Sequence, residues 1–173
     1  MRNIQLLFRK VGKKDEFFQF VIALYTRLLP VNWFTKGFYS HVELHFVERL
    51  ECFSSANKGN FTGVRFDKTC NVIKSPSKWD CIEIELTNEA EQKLYDACKL
   101  KEGIPYDWLA IFGFAIPIGI QDKKRFYCSE VVARCLYEAG IYLVKHNIIS
   151  PVRLSNLASK YFKKKITPLE KRR

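Results

Sequence analysis

The chain has 173 residues, 47% of them apolar, with 29 Lys and Arg against 18 Asp and Glu, for a net charge of +11. That length supports one compact domain with a real core and is short for two, so residues 1–173 read as a single domain. No apolar window runs unbroken for about 18 residues, and the first apolar run returns to charge with no small-residue cleavage site behind it. The expectation is therefore a cytoplasmic protein with neither a membrane span nor a signal peptide.

In chain order, "NIQLLF" reads as a first strand, and Asp15 to about Leu29 as an amphipathic helix closed by Pro30, which disfavours helix at the residue before it. A turn-prone "NWFTKG" leads into an alternating strand from Ser40 to about Glu48. "ECFSSA" and "GVRF" follow as strands around the turn "ANKGN", and "WDCIEIEL" (Trp79 to Leu86) alternates again. Turn-sized gaps between these strands predict an antiparallel meander.

Helical patterns then take over. "TNEAEQKLYDACKL" starts with Thr87 as its N-cap and has acidic residues in its first turn. "YDWLAIFGFAI" is apolar nearly all round and is expected to be buried or to line a pocket, and "SEVVARCLYEAG" has Gly140 in the C-terminal capping position. Ser150 and Pro151 open a last helix in the cap-plus-first-turn arrangement. Strands first and helices after give an α+β class, an antiparallel sheet packed against helices.

Six cysteines, at 52, 70, 81, 98, 128 and 135, are scattered without a CxxC pair, which argues against a disulfide framework and a structural zinc site. Most are expected to be small buried hydrophobes. Basic residues cluster in "RKVGKK" and in a tail from about residue 162 within "KYFKKKITPLEKRR". Such a surface attracts nucleic acid, anionic headgroups or acidic polymers, or simply keeps the chain soluble. No RNP motif, finger spacing or helix-turn-helix accompanies it.

Two places carry chemistry. In "FYSHVELHF" the period of a strand puts His41, Glu43 and His45 on one face and Val42, Leu44 and Phe46 on the other, so one face is core and the other meets water or a site. In "RFYCSEVVARCL", Cys128 stands where an aromatic approach turns into a helix, so its sulfur lies near unpaired N–H groups and the positive end of the helix dipole, surroundings that favour a nucleophilic thiolate. A cysteine nucleophile needs a base and a third group to orient it. His41 is the candidate base; Glu43 and His45 both qualify as the third member, as do Glu51, Ser54 and Ser55 on the next strand. A zinc site built from His41, Glu43, His45 and Cys128 competes with this reading, but residues i and i+4 on a strand stand about 13 Å apart, long for two ligands of one ion. No metal or cofactor is expected.

The segments "YSHVEL", "CFSSANKGNFTGVRF", "GIPYDWLAIFGF" and "FYCSEVV" together resemble the circularly permuted branch of the NlpC-type papain-like hydrolases, the YiiX-like group, over roughly Phe38 to Gly140. In that branch the histidine-bearing sheet precedes the helix that carries the cysteine. The resemblance implies a permuted papain-like fold with a Cys128–His41 pair in a cleft between sheet and helix, and Glu43, which matches the "SHVE" pattern, as the third residue. Tyr39, Tyr106 and Tyr127 become candidates for the pocket wall or a second oxyanion donor, and Trp108 for the core. Members cleave amide bonds in peptides or cell-wall material, and the related lecithin:retinol acyltransferase group moves acyl chains. The expected activity is a cysteine-dependent amidase, peptidase or acyltransferase acting through a thioester on a peptide, peptidoglycan-like or acyl-lipid substrate. The competing class is a basic module that binds nucleic acid or a membrane surface through its basic tail, with a vestigial cysteine site.

Overall fold

Strand β1 (Arg2–Lys10) is buried on both faces from Ile4 to Phe8, because it lies in the middle of a sheet that is covered on both sides. Ile4, Leu6 and Phe8 point into the main core, and Leu7 points into a second, smaller cluster on the opposite face. The structure, a computed structural model, describes residues 1–11, 39–58, 61–107, 125–141 and 149–169. The expected helix over 15–29 and most of the apolar segment starting at Tyr106 lie outside them, as does Trp108.

With β2 (Tyr39–Phe46), β3 (Glu51–Lys58), β4 (Phe61–Lys68), β5 (Trp79–Leu86) and β6 (Thr167–Pro168), β1 forms a six-stranded sheet of order β4-β3-β2-β1-β5-β6. Every neighbouring pair is antiparallel. The fold class is α+β, as the strand and helix patterns predict. The arrangement is not a simple meander: β5 pairs with β1 from Arg2↔Leu86 to Arg9↔Trp79 rather than continuing beyond β4. The short helix α1 (Thr69–Val72) and a 3-10 turn (Pro76–Lys78) carry the chain back across the sheet. An interior strand needs partners for its backbone on both edges, and β5 supplies the second set.

Helices α2 (Asn88–Lys99), α3 (Cys128–Glu138) and α4 (Pro151–Phe162) carry the expected end signals. The Ala90 N–H donates to Thr87 Oγ1 at 3.2 Å, and the Arg153 N–H donates to Ser150 Oγ at 3.2 Å with Pro151 in the first turn. Gly140, just past α3, takes a left-handed φ of +73°. Val131, Val132, Cys135 and Leu136 of α3 and Leu94 and Cys98 of α2 join Val42, Leu44 and Phe46 of β2 in the main core.

The opposite face holds Leu7, Cys52, Trp79 and Cys81, with Val72, Ile73 and Leu169 against them. The basic segment after α4 is thus more than a solvated tail. Lys163, Lys164 and Lys165 are exposed, yet Thr167 and Pro168 then pair with Cys81 and Asp80, and the Leu169 N–H donates to Trp79 O at 2.9 Å. Five of the six cysteines are buried; Cys70 is exposed.

Candidate active site

The site forms where two strands part. β3 stays paired with β4 along its length, from Glu51↔Lys68 to Lys58↔Phe61, but pairs with β2 only at Leu44↔Phe53, His45↔Cys52 and Phe46↔Glu51. Beyond that point side chains and an incoming segment replace the ladder. Ser54 Oγ donates to Val42 O and Ser55 Oγ to Phe126 O, each at 2.7 Å, so the backbone acceptors left by the parting remain satisfied. Phe126 also bridges Tyr106, with its N–H donating to Pro105 O at 3.3 Å and its carbonyl accepting from the Asp107 N–H at 3.2 Å. This segment delivers Tyr127 and Cys128, the cap and first residue of α3, to the N-terminal end of β2.

The 103–107 segment is held in turn by β4. The Val64 N–H donates to Ile104 O at 2.8 Å and the Gly103 N–H to Val64 O at 2.9 Å. The approach is close enough that a Cβ on Gly63 would stand 2.6 Å from Ile104 O, and Gly63 has a φ of +142°. Only glycine accommodates both.

His41 and Cys128 come into electrostatic contact in this arrangement: the negative charge of Cys128 favours the protonated imidazole. On the other side of the ring, His41 Nε2 donates to Glu43 Oε1 at 2.7 Å. A carboxylate only accepts, so Glu43 fixes a proton on Nε2 and leaves Nδ1 as the basic nitrogen of the ring. Burial, the largest influence on the ring, disfavours its charged form. The negative charge of Cys128, followed by the hydrogen bond and charge of Glu43, outweighs it and raises His41 from the ordinary 6.5 to about 9.

Glu43 is not on a solvated face, as the alternation alone allows; its side chain is only 1% exposed. Its charge is tolerated there because Arg65 on β4 clamps it, Nη1 donating to Oε2 at 3.0 Å and Nη2 to Oε1 at 2.7 Å. Burial pushes Glu43 up, but the Arg65 charge and the His41 hydrogen bond dominate and hold it down at about 2. Arg65 is the site residue the motif reading misses. Its signal is the alternation in "GVRF": Val64 and Phe66 pack in the main core, which turns Arg65 to the face of His41 and Glu43.

His45 is brought to a different place. Its Nδ1–H donates to Gln5 Oε1 at 2.9 Å, and its Nε2 accepts from the Thr69 hydroxyl at 3.1 Å. Both ring nitrogens are thus engaged in joining β1, β2 and α1, and Gln5 Nε2 continues the network to Glu83 Oε1 at 2.7 Å. With His45 so occupied and Glu43 held by Arg65, the zinc reading has no open donor set. Among the described residues no group of His, Cys, Asp or Glu is gathered in a way that could hold a metal ion.

The other candidates separate in the same way. Tyr39 OH donates to Asp80 Oδ2 at 2.9 Å, which directs its hydroxyl to β5. Tyr127 OH accepts from the Ile149 N–H at 2.6 Å in a buried position. The Tyr39 proton is therefore committed to Asp80, which removes it as an oxyanion donor, whereas the Tyr127 oxygen serves as an acceptor. Tyr106 stays beside the site: burial, then the charge of Cys128, pushes its hydroxyl well above the ordinary range for a phenol. Glu51 accepts from Tyr95 OH at 2.9 Å and takes no part in the site. Ser54 and Ser55 serve the strand junction described above. Of the other thiols, Cys52 is pushed up by burial and by the charge of Glu43, and Cys98 by burial and its neighbour Cys135.

Comparison with family models, with curated proteins and with solved structures finds no match to this chain. Among the described residues no helix is long and apolar enough to cross a membrane.

Proposed function

We propose that the chain is a cysteine-dependent acyl-transfer enzyme, a hydrolase or acyltransferase acting on an amide or ester bond, with the permuted arrangement of the NlpC-type papain-like hydrolases. The observation that carries this reading is the linear relay from Cys128 at the start of α3, through His41, to a buried carboxylate. A nucleophile, a base with a fixed tautomer and an orienting anion are the parts that thiol acyl transfer needs.

In the proposed reaction Cys128 Sγ attacks the substrate carbonyl carbon, and the oxyanion is met by the Cys128 N–H at the helix start, with Tyr106 beside the site. His41 delivers its Nδ1 proton to the departing nitrogen or oxygen, and the C–N or C–O bond breaks to leave a thioester on Cys128. Water or another acceptor then loses a proton to Nδ1 as it attacks the thioester, and the thiol is regenerated with the acyl group transferred. Glu43 keeps Nε2 protonated throughout.

Peptide, peptidoglycan-fragment and lipid-ester probes, each carrying a good leaving group so that the acyl-enzyme accumulates, test activity and substrate class together. The expected result is an acyl adduct on Cys128 with one probe class, absent from Cys128→Ala. No adduct with any class, or an adduct on another residue, contradicts the reading.

The exposed Lys160, Lys163, Lys164 and Lys165 favour a second reading beside it, contact with an anionic surface. Salt-dependent binding to anionic vesicles that survives Cys128→Ala would support that role independently of the thiol.

A further inference from the structure

Arg65 stands in an unusual position for a charged side chain. It is 15% exposed, on a strand whose neighbouring residues Val64 and Phe66 belong to the core, and both donors of its fork go to one carboxylate. Glu43 Oε1 accepts from Arg65 Nη2 and from His41 Nε2, each at 2.7 Å, so the two cations share one oxygen. Counted as ions, Cys128 and Glu43 each carry a negative charge and His41 and Arg65 each carry a positive one. The partly buried row is neutral with all four present and carries a net charge when any one of them is removed.

Burying net charge is costly, and a site left with an excess negative charge relieves it by binding a proton. Without Arg65 the row Cys128, His41 and Glu43 would hold an excess negative charge, and the thiolate is an anion at which that proton can settle. We propose that Arg65 is a positioning residue that neutralises Glu43, so that Glu43 can orient His41 without drawing a further proton into the site and quenching the Cys128 thiolate. This proposal rests on the Cys–His reading above. Other charged or titratable groups in electrostatic contact with these residues are Asp67 and Cys52 near Arg65, and Tyr106 and Tyr127 near Cys128, with Asp107 acting on both tyrosines.

The test is the rate of Cys128 alkylation at pH 7 by iodoacetamide, resolved from the other thiols by peptide mass spectrometry. The reagent is neutral, so removing a cation does not change its attraction to the site. Arg65→Met is expected to slow Cys128 by about tenfold or more, the effect of a lost unit charge at this range in a partly buried site. Arg65→Lys, which keeps the charge and gives up the fork, should stay within about threefold of the unmodified chain. The decisive comparison is in a Glu43→Gln background, where Arg65→Met should change the rate by less than about threefold, because no carboxylate is left to balance. If Arg65→Met folds poorly, Arg65→Gln replaces it with the same expectations. Equal losses in both backgrounds, or a Lys variant as slow as the Met variant, would overturn the proposal. An unmodified chain whose Cys128 reacts no faster than the exposed Cys70 would remove the Cys–His reading itself, and this proposal with it, before any Arg65 variant is considered.

Discussion

His41 and Glu43 are joined by a 2.7 Å hydrogen bond although a single residue separates them on one strand. The contact is a direct product of strand geometry, since side chains i and i+2 stand on the same face. It gives the imidazole a fixed tautomer, with Arg65 on β4 keeping the carboxylate charged. His41→Ala is therefore expected to abolish turnover, whereas His45→Ala should keep most of it.

The second half of that prediction has a separate readout. His45→Ala leaves Gln5 Oε1 and Thr69 Oγ1 without their partner, and the expected cost is about 1–3 kcal/mol of stability, measured by denaturant unfolding. Loss of turnover in His45→Ala with unchanged stability would exchange the roles assigned to the two histidines.

Glu43→Gln should slow the reaction and destabilise the fold together. The amide still meets His41, but the partly buried Arg65 loses the charge that balances it, and breaking such a pair costs about 3 kcal/mol. Unfolding midpoints and turnover of Glu43→Gln and Glu43→Asp check this. An unchanged midpoint would place Glu43 in a far more solvated setting than its burial implies.

Stability should depend on pH in two windows set by the same row. Glu43 is held below its ordinary value of 4.5, at about 2, so its contribution is present above pH 4.5 and is lost as pH falls toward 2. His41 is raised above its ordinary 6.5, to about 9, so its contribution is full below pH 6.5 and is lost as pH rises through 9. The difference in melting temperature between the unmodified chain and His41→Ala should accordingly be flat between pH 4.5 and 6.5 and shrink toward pH 9. A difference that grows over that interval would reverse the sign of the interaction.

Gly63→Ala tests the scaffold at a distance from the chemistry. The added methyl would meet Ile104 O at 2.6 Å, at a φ that side chains rarely adopt, so the 103–107 segment must shift and take Tyr106 with it. The expected loss is about 2–3 kcal/mol in stability and a marked fall in turnover; Gly103→Ala, at a φ of +84°, carries backbone strain as well, but its Cβ meets nothing within 4 Å, so its cost should be smaller.

Much of this architecture is legible in the residues themselves. The alternation in "FYSHVELHF" puts His41 and Glu43 on one face, and Thr87, Gly140 and Ser150 mark helix ends because local hydrogen bonds and backbone angles decide them. The start of α3 at Cys128 follows from the change of an aromatic approach into a helical pattern, since Tyr127 at its cap makes no side-chain hydrogen bond. What local patterns leave open is which edges meet: β5 returning to β1, and β2 leaving β3 after Leu44, depend on pairings between distant segments. The Glu43–Arg65 pair is hidden for that reason, since two strands far apart in sequence must be set in register before the charges face each other. His45 misleads in the opposite direction, because its alternation matches that of His41 while its hydrogen bonds tie it to the fold.

The central claim is that Cys128 is a nucleophile made reactive by His41, and competitive alkylation at limiting iodoacetamide near neutral pH, with each of the six thiols read by mass spectrometry, tests it most directly. The account predicts that Cys128 labels first, ahead of the exposed Cys70, and that His41→Ala brings its rate down to that of the buried Cys52 and Cys98. Preferential labelling of any other cysteine in the folded chain, or a Cys128 rate indifferent to His41→Ala, would contradict it.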